Sequence, residues 1–173
     1  MADPRPTEIL LTAAQIQARV AEMAAEIRRD LPDHLHLIAV LKGAAVFAAD
    51  LMRHLGGRVS VDFVELSSYG AGTTSAGDVR LIKDFDAPIH GSDVVILDDI
   101  ADTGRTIASL QEMLRARGPR SLRTACLLDK PSRRKTPVPV DYVGFTIPDR
   151  FVVGYGLDYN GEYRNLPHIA VLD

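Results

Sequence analysis

Apolar positions recur along this chain with two different periods, and the alternation between them outlines the fold. In residues 12–30, TAAQIQARVAEMAAEIRRD, the residues Ile16, Val20, Met23 and Ile27 share one side of a 3.6-residue helix. Thr12 can cap its first turn, and Pro32 marks its far boundary. The stretch HLIAVLKGAAVFAADLMRHLGG opens on an apolar strand ending at Leu41, turns at Lys42 and Gly43, and continues as a helix to the Gly56-Gly57 stop. RVSVDFVEL alternates as a strand does. In SSYGAGTTSAGDVRLIKDF, apolar periodicity is absent until Val79, so its first half is expected to be a long flexible loop. VVIL is the next buried strand, followed by a helix to about Arg117, where Gly118-Pro119 ends it. LRTACLL is a further strand leading into the polar DKPSRRKTPVPV, and the tail beyond it is strand-like, by turns aromatic and polar, with no helical pattern.

Strands alternating with helices predict an α/β fold, a mostly parallel central sheet flanked by helices, and such sheets bind ligands beyond the carboxyl ends of their strands. Three turns at such ends carry charge: Lys42-Gly43, residues 98–106, and Asp129-Lys130. A length of 173 residues fits a single domain, 1–173, and 46% hydrophobic with 25% charged residues is ordinary for a globular protein. The net charge of -3 argues against a broad electrostatic footprint for nucleic acid. A lone Cys126 in an apolar run builds no disulfide framework and reads as a core thiol in a reducing compartment. No run approaches the roughly 18 apolar residues of a membrane span, and MADPRPTEILL lacks the pattern of a secretion signal, so the expected address is the cytoplasm, with no membrane partner.

The stretch VVILDDIADTGRTI, residues 94–107, carries the densest chemistry. An acid at a helix N-terminus can be no more than a cap, but Asp98, Asp99 and Asp102 together exceed what capping requires. Thr103, Gly104, Arg105 and Thr106 lack the Walker-loop spacing, yet can wrap a phosphate monoester with backbone N–H and hydroxyl donors. Acids beside an anion site suit a ligand bearing both hydroxyls and phosphate, such as a ribose phosphate.

This stretch resembles the phosphoribosyl pyrophosphate binding motif of the type I phosphoribosyltransferases. The resemblance extends through LKG, the SSYG loop, LLDKPSRR, VGFTIPDRFVVGYGLDYN and YRNLPHI, and points to the bacterial hypoxanthine branch. It implies the type I phosphoribosyltransferase fold, with a small hood built from the terminal segments. The implied reaction moves the phosphoribosyl group to hypoxanthine or guanine, giving IMP or GMP and pyrophosphate with Mg2+ as cofactor, in a homodimer or homotetramer. One departure is the first acid, commonly Glu in the family and Asp98 here, whose shorter side chain changes its reach.

Position by position, the resemblance implies that Asp98 and Asp99 hold the ribose hydroxyls directly or through Mg2+, while residues 103–106 cradle the 5'-phosphate. Asp102 falls where the family has its proposed general base, which takes the proton from purine N7. Lys42 and Gly43 match the pyrophosphate turn, where the peptide before the lysine can be cis, and Arg164 matches the arginine that grips pyrophosphate. Lys130 matches the lysine that donates to the purine 6-oxo group, Phe151 the ring that stacks on the base, and Val152 the backbone that meets the base edge. Asp158 matches an acid coordinating a pyrophosphate-bound Mg2+, joining Asp98 and Asp99 in the implied metal set. Ser68 and Tyr69 match the pair on a closing loop over residues 67–78. A second reading is open at this stage: RNA-binding regulators of pyrimidine operons share the fold and a similar signature, and KPSRRK supplies a basic cluster. Against it stand Asp102 and the purine set of Lys130, Phe151 and Asp158.

Overall fold

The computed structural model describes residues 5–68 and 79–172. The chain runs β1 (Pro6–Leu11), α1 (Ala13–Asp30), β2 (Leu35–Leu41), α2 (Ala45–Leu55), β3 (Val59–Ser68), β4 (Val79–Lys83), β5 (Asp93–Ala101), α3 (Arg105–Arg115), β6 (Ser121–Asp129), β7 (Tyr142–Thr146), β8 (Val152–Val153) and β9 (Ile169–Leu172). Thr12 closes a capping box on α1: Gln15 N–H donates to its hydroxyl at 3.2 Å, and its own N–H donates to Gln15 Oε1 at 2.8 Å. The helix expected to reach Arg117 ends at Arg115, two residues earlier.

Six strands form the central sheet in the order β4-β3-β2-β5-β6-β7. All neighbours are parallel except β4, an antiparallel edge. Continuous apolar runs in β2 and β5 are explained by cover on both faces. Leu35, Leu37 and Ala39 with Val95 and Leu97 pack into the core built on α1 and α2. Ile38, Val40, Val94 and Ile96 face the opposite way, against Leu110 and Leu114 of α3. The terminal segments form a second sheet, β1-β9-β8, antiparallel throughout, which matches the expected hood.

Connections from β2 and β5 leave the sheet in opposite directions: β2 leads through α2 to β3 on one side, β5 through α3 to β6 on the other. A crevice opens beyond the carboxyl ends of two such strands, and that is where doubly wound sheets hold ligands. Because β2, β5 and β6 are adjacent and parallel, the three charged turns emerge side by side at that end.

Candidate active site

Beyond β2 the Leu41–Lys42 peptide is cis, and Gly43 follows against the end of β5. A Cβ on Gly43 would stand 1.7 Å from Asp99 Oδ2. Gly156, at φ +101°, would with a Cβ stand 2.1 Å from the Gly43 carbonyl oxygen. Three chain segments therefore converge at a distance that only glycine permits. Tyr155 holds the tail there, donating its hydroxyl to Asp50 of α2 at 2.7 Å. The Lys42 side chain is exposed at this turn.

Asp98 is buried at the end of β5, and its Oδ1 accepts the Asp99 N–H at 3.0 Å. Burial pushes the Asp98 carboxyl well above the usual range, and the neighbouring Asp99 charge adds to it. Loss of solvent also raises Asp99. A buried carboxyl beside a second, half-buried one demands a proton, hydroxyl donors or a cation.

Gly104, at φ +85°, turns the chain into α3, which carries no side-chain cap. Its first-turn N–H groups are thus available to an anion. A Cβ on Gly104 would stand 2.4 Å from the Thr136 carbonyl oxygen, because the loop after β6 is laid across the turn. The N–H groups of Lys135 and Thr136 both donate to the Thr103 carbonyl at 3.0 Å. Arg134 donates from Nε to the Asp102 carbonyl at 3.1 Å and pairs with Asp129. A cavity of about 290 Å³ lies here, bordered by Asp98, Asp99, Asp102, Thr103, Gly104 and Thr106. Arg105 is exposed, off that lining.

A second cavity, about 370 Å³, shares Asp99, Ile100 and Asp102 with the first and adds Lys130, Phe151, Val152 and Asp158. Lys130 is only 7% exposed, and its ammonium donates to the Arg150 carbonyl at 2.6 Å. Phe151 is 53% exposed, its ring edge-on to Tyr159 with centroids 5.9 Å apart, so it is free to offer a face to a planar ligand. Val152 is buried in β8. Asp158 pairs with Arg164 at 2.7 Å and accepts the Gly161 N–H at 2.7 Å, while Arg164 also donates to the Gly156 carbonyl at 2.6 Å.

Asp98, Asp99, Asp102, Thr103, Gly104, Thr106, Lys130, Phe151, Val152 and Asp158 border these two cavities, whereas Lys42, Gly43, Arg105 and Arg164 line neither. Tyr69 and the rest of the expected closing loop over residues 69–78 lie outside the described residues, and Ser68 is the last residue of β3. Among the described residues no three His, Cys, Asp or Glu side chains group to hold a metal by themselves. Asp158, the third acid of the implied metal set, is paired with Arg164 and borders the larger cavity.

Sequence reasoning missed Arg133 and Asp149. Both border the larger cavity, and Arg133 donates from Nε to Asp102 Oδ1 at 2.7 Å and from Nη1 to Asp149 Oδ1 at 3.3 Å. No local pattern announces partners 31 and 16 positions away. Arg133 and Arg134 are thereby paired with acids, and Arg133 stays 45% exposed.

Comparison with known proteins agrees with this geometry. The family model described as "Phosphoribosyl transferase domain" matches residues 6–160. The hypoxanthine-guanine phosphoribosyltransferase of Bacillus subtilis is 47% identical over 166 residues, covering 95% of this chain and 92% of that protein. Its namesake in Mycobacterium tuberculosis is 48% identical over 172 residues, covering 95% and 85%. A crystal structure of a Bacillus anthracis hypoxanthine-guanine phosphoribosyltransferase, with a HEPES molecule in its active site, superposes with a TM-score of 0.93 at 45% identity, covering 98% of this chain and 100% of that one. With the motif lying where two adjoining cavities meet and these matches spanning almost its whole length, the chain belongs to the phosphoribosyl transferase domain family.

Proposed function

We propose that this protein works in purine salvage, transferring the 5-phosphoribosyl group of phosphoribosyl pyrophosphate to hypoxanthine or guanine to give IMP or GMP and pyrophosphate. One observation carries the reading: an uncapped helix start with acids around it opens directly into a cavity holding an exposed aromatic face and a buried lysine, and the two share Asp99, Ile100 and Asp102. A ribose 5-phosphate on one side and a planar base on the other would join across that shared border.

In this scheme the α3 N-terminus with Thr103, Gly104 and Thr106 holds the 5'-phosphate, and Asp98 and Asp99 accept from the ribose hydroxyls. Phe151 stacks on the base. The Lys130 ammonium has donors to spare beyond its bond to the Arg150 carbonyl, and donors select a 6-oxo over a 6-amino group. Asp102 accepts the N7 proton as N9 attacks C1', and Lys42 and Arg164 offset the charge of the departing pyrophosphate.

The donor set fits Mg2+. Asp98 and Asp99 are adjacent hard-oxygen ligands without a complete protein cage, and Mg2+ binds through one or two carboxylates, keeping waters and substrate oxygens for its other positions. The chemistry it supplies when bound is charge neutralisation at the donor's phosphate oxygens.

A homodimer or homotetramer is the assembly the family resemblance implies. A cytoplasmic address rests on Cys126, a buried free thiol of the kind a reducing compartment keeps. No helix among the described residues is long and apolar enough to cross a membrane.

Pyrophosphate release measured with hypoxanthine, guanine, xanthine, adenine and uracil tests the reading. Turnover confined to 6-oxopurines is expected; preference for uracil, or no turnover with any base, would overturn it.

A further inference from the structure

Arg133 stands at the larger cavity, and its connections are not what a stabilising surface ion pair would need. Its side chain is 45% exposed, Asp102 is 38% exposed and Asp149 is 51% exposed. Pairs so open to water contribute little to stability. What the guanidinium does instead is tie two loops together, the one after β5 carrying Asp102 and the one after β7 carrying Asp149. Arg133 ends the short 3-10 turn Pro131–Arg133 that directly follows Lys130. Asp149 directly precedes Arg150, whose carbonyl accepts the Lys130 ammonium at 2.6 Å.

Resting on the functional reading above, we propose that Arg133 is a positioning residue that sets Asp102 and Lys130 in register for the N7 and 6-oxo edge of the purine. That edge presents one donor, N7–H, and one acceptor, O6, at a fixed separation. The protein must meet them with an acceptor and a donor at a matching separation. Those two groups sit on different loops, and the guanidinium joins them: directly through Asp102, and through Asp149 and the Arg150 carbonyl to Lys130. By occupying Oδ1 of Asp102 at 2.7 Å, Arg133 leaves Oδ2 as the oxygen that takes the N7 proton. Only a planar fork with several fixed donors spans two carboxylates this way, a geometry lysine lacks.

The test compares wild type with Arg133→Ala and Arg133→Lys in steady-state assays with hypoxanthine, alongside calorimetric binding of phosphoribosyl pyrophosphate and thermal melts. Arg133→Ala is expected to lower kcat/KM for hypoxanthine by about 10- to 100-fold, the scale of a misplaced reacting group. Donor affinity should stay within about 2-fold of wild type and the melting temperature should move little, as for an exposed pair. Arg133→Lys should recover part of the loss, since it restores charge without the fork. Wild type inactive with every 6-oxopurine overturns the functional reading and this inference together. An active wild type with Arg133→Ala within about 2-fold of it, or with a loss matched by weakened donor binding, overturns this inference alone.

Discussion

Replacing Lys130 by Met removes the ammonium while keeping an unbranched apolar stem in the same buried site. Two effects separate. The half-buried Arg150 carbonyl loses the Lys130 donor at 2.6 Å, and leaving a buried acceptor unmatched costs at most about 1–3 kcal/mol of stability. The purine 6-oxo group loses a charge-assisted partner, worth about 1.5–3 kcal/mol. At about 1.4 kcal/mol per decade, kcat/KM for hypoxanthine and guanine should fall by about 10- to 140-fold. Adenine provides the control, because its 6-amino group donates where Lys130 also donates and so gains nothing from the lysine. The assay is steady-state kcat/KM for each base at saturating donor and Mg2+, with folding checked by circular dichroism and a melt. Equal losses for hypoxanthine, guanine and any trace adenine activity would show that Lys130 supports the Arg150 loop alone and does not read the base.

Asp102→Asn should slow the chemical step by about 10- to 1000-fold with donor affinity largely intact. Pre-steady-state quench experiments measure it, and an unchanged single-turnover rate would remove Asp102 from the base role. Gly104→Val should weaken calorimetric binding of both donor and nucleotide product, because φ +85° disfavours a side chain and the Thr136 carbonyl lies 2.4 Å from where Cβ would go. Normal nucleotide binding to a folded variant would refute the phosphate assignment. Asp98→Asn should raise the melting temperature of the ligand-free protein at about pH 8, with the gain shrinking toward about pH 4. Burial raises the folded carboxyl above its ordinary 3.8, so the folded state holds the proton more tightly and stability falls as pH climbs from that value through the folded one. A gain of equal size at both pH values would refute this.

Local pattern was enough for the parallel sheet's interior and for the motif at its end. The apolar runs of β2 and β5, the period of α1 behind Thr12, and the acids and small residues of residues 98–106 depend on neighbours a few positions apart, and such short-range constraints are written in the sequence itself. Elements that acquire their structure from distant partners left no comparable trace. PTEILL becomes β1 because β9 offers it a ladder, Pro6 opposite Leu172 and Leu11 opposite Ile169. Val79–Lys83 is too short to show a convincing period, and pairing with β3 makes it an edge strand. Phe151 heads an apolar run, yet it lies half exposed beside the cavity because Val152 and Val153 after it take the buried positions of β8.

The site divides along the same line. Asp98, Asp99, Asp102 and Gly104 were legible as chemistry, since carboxylates and a glycine gathered at a strand end already say what ligand they suit. Only the tertiary structure decided that Gly43 must be bare because Asp99 lies against it, and that Arg133 and Arg134 are paired with Asp102, Asp129 and Asp149. The physical reason is that side-chain identity sets what a group can bind, whereas its actual partner is set by which segments the sheet brings within about 3 Å, the reach of a hydrogen bond.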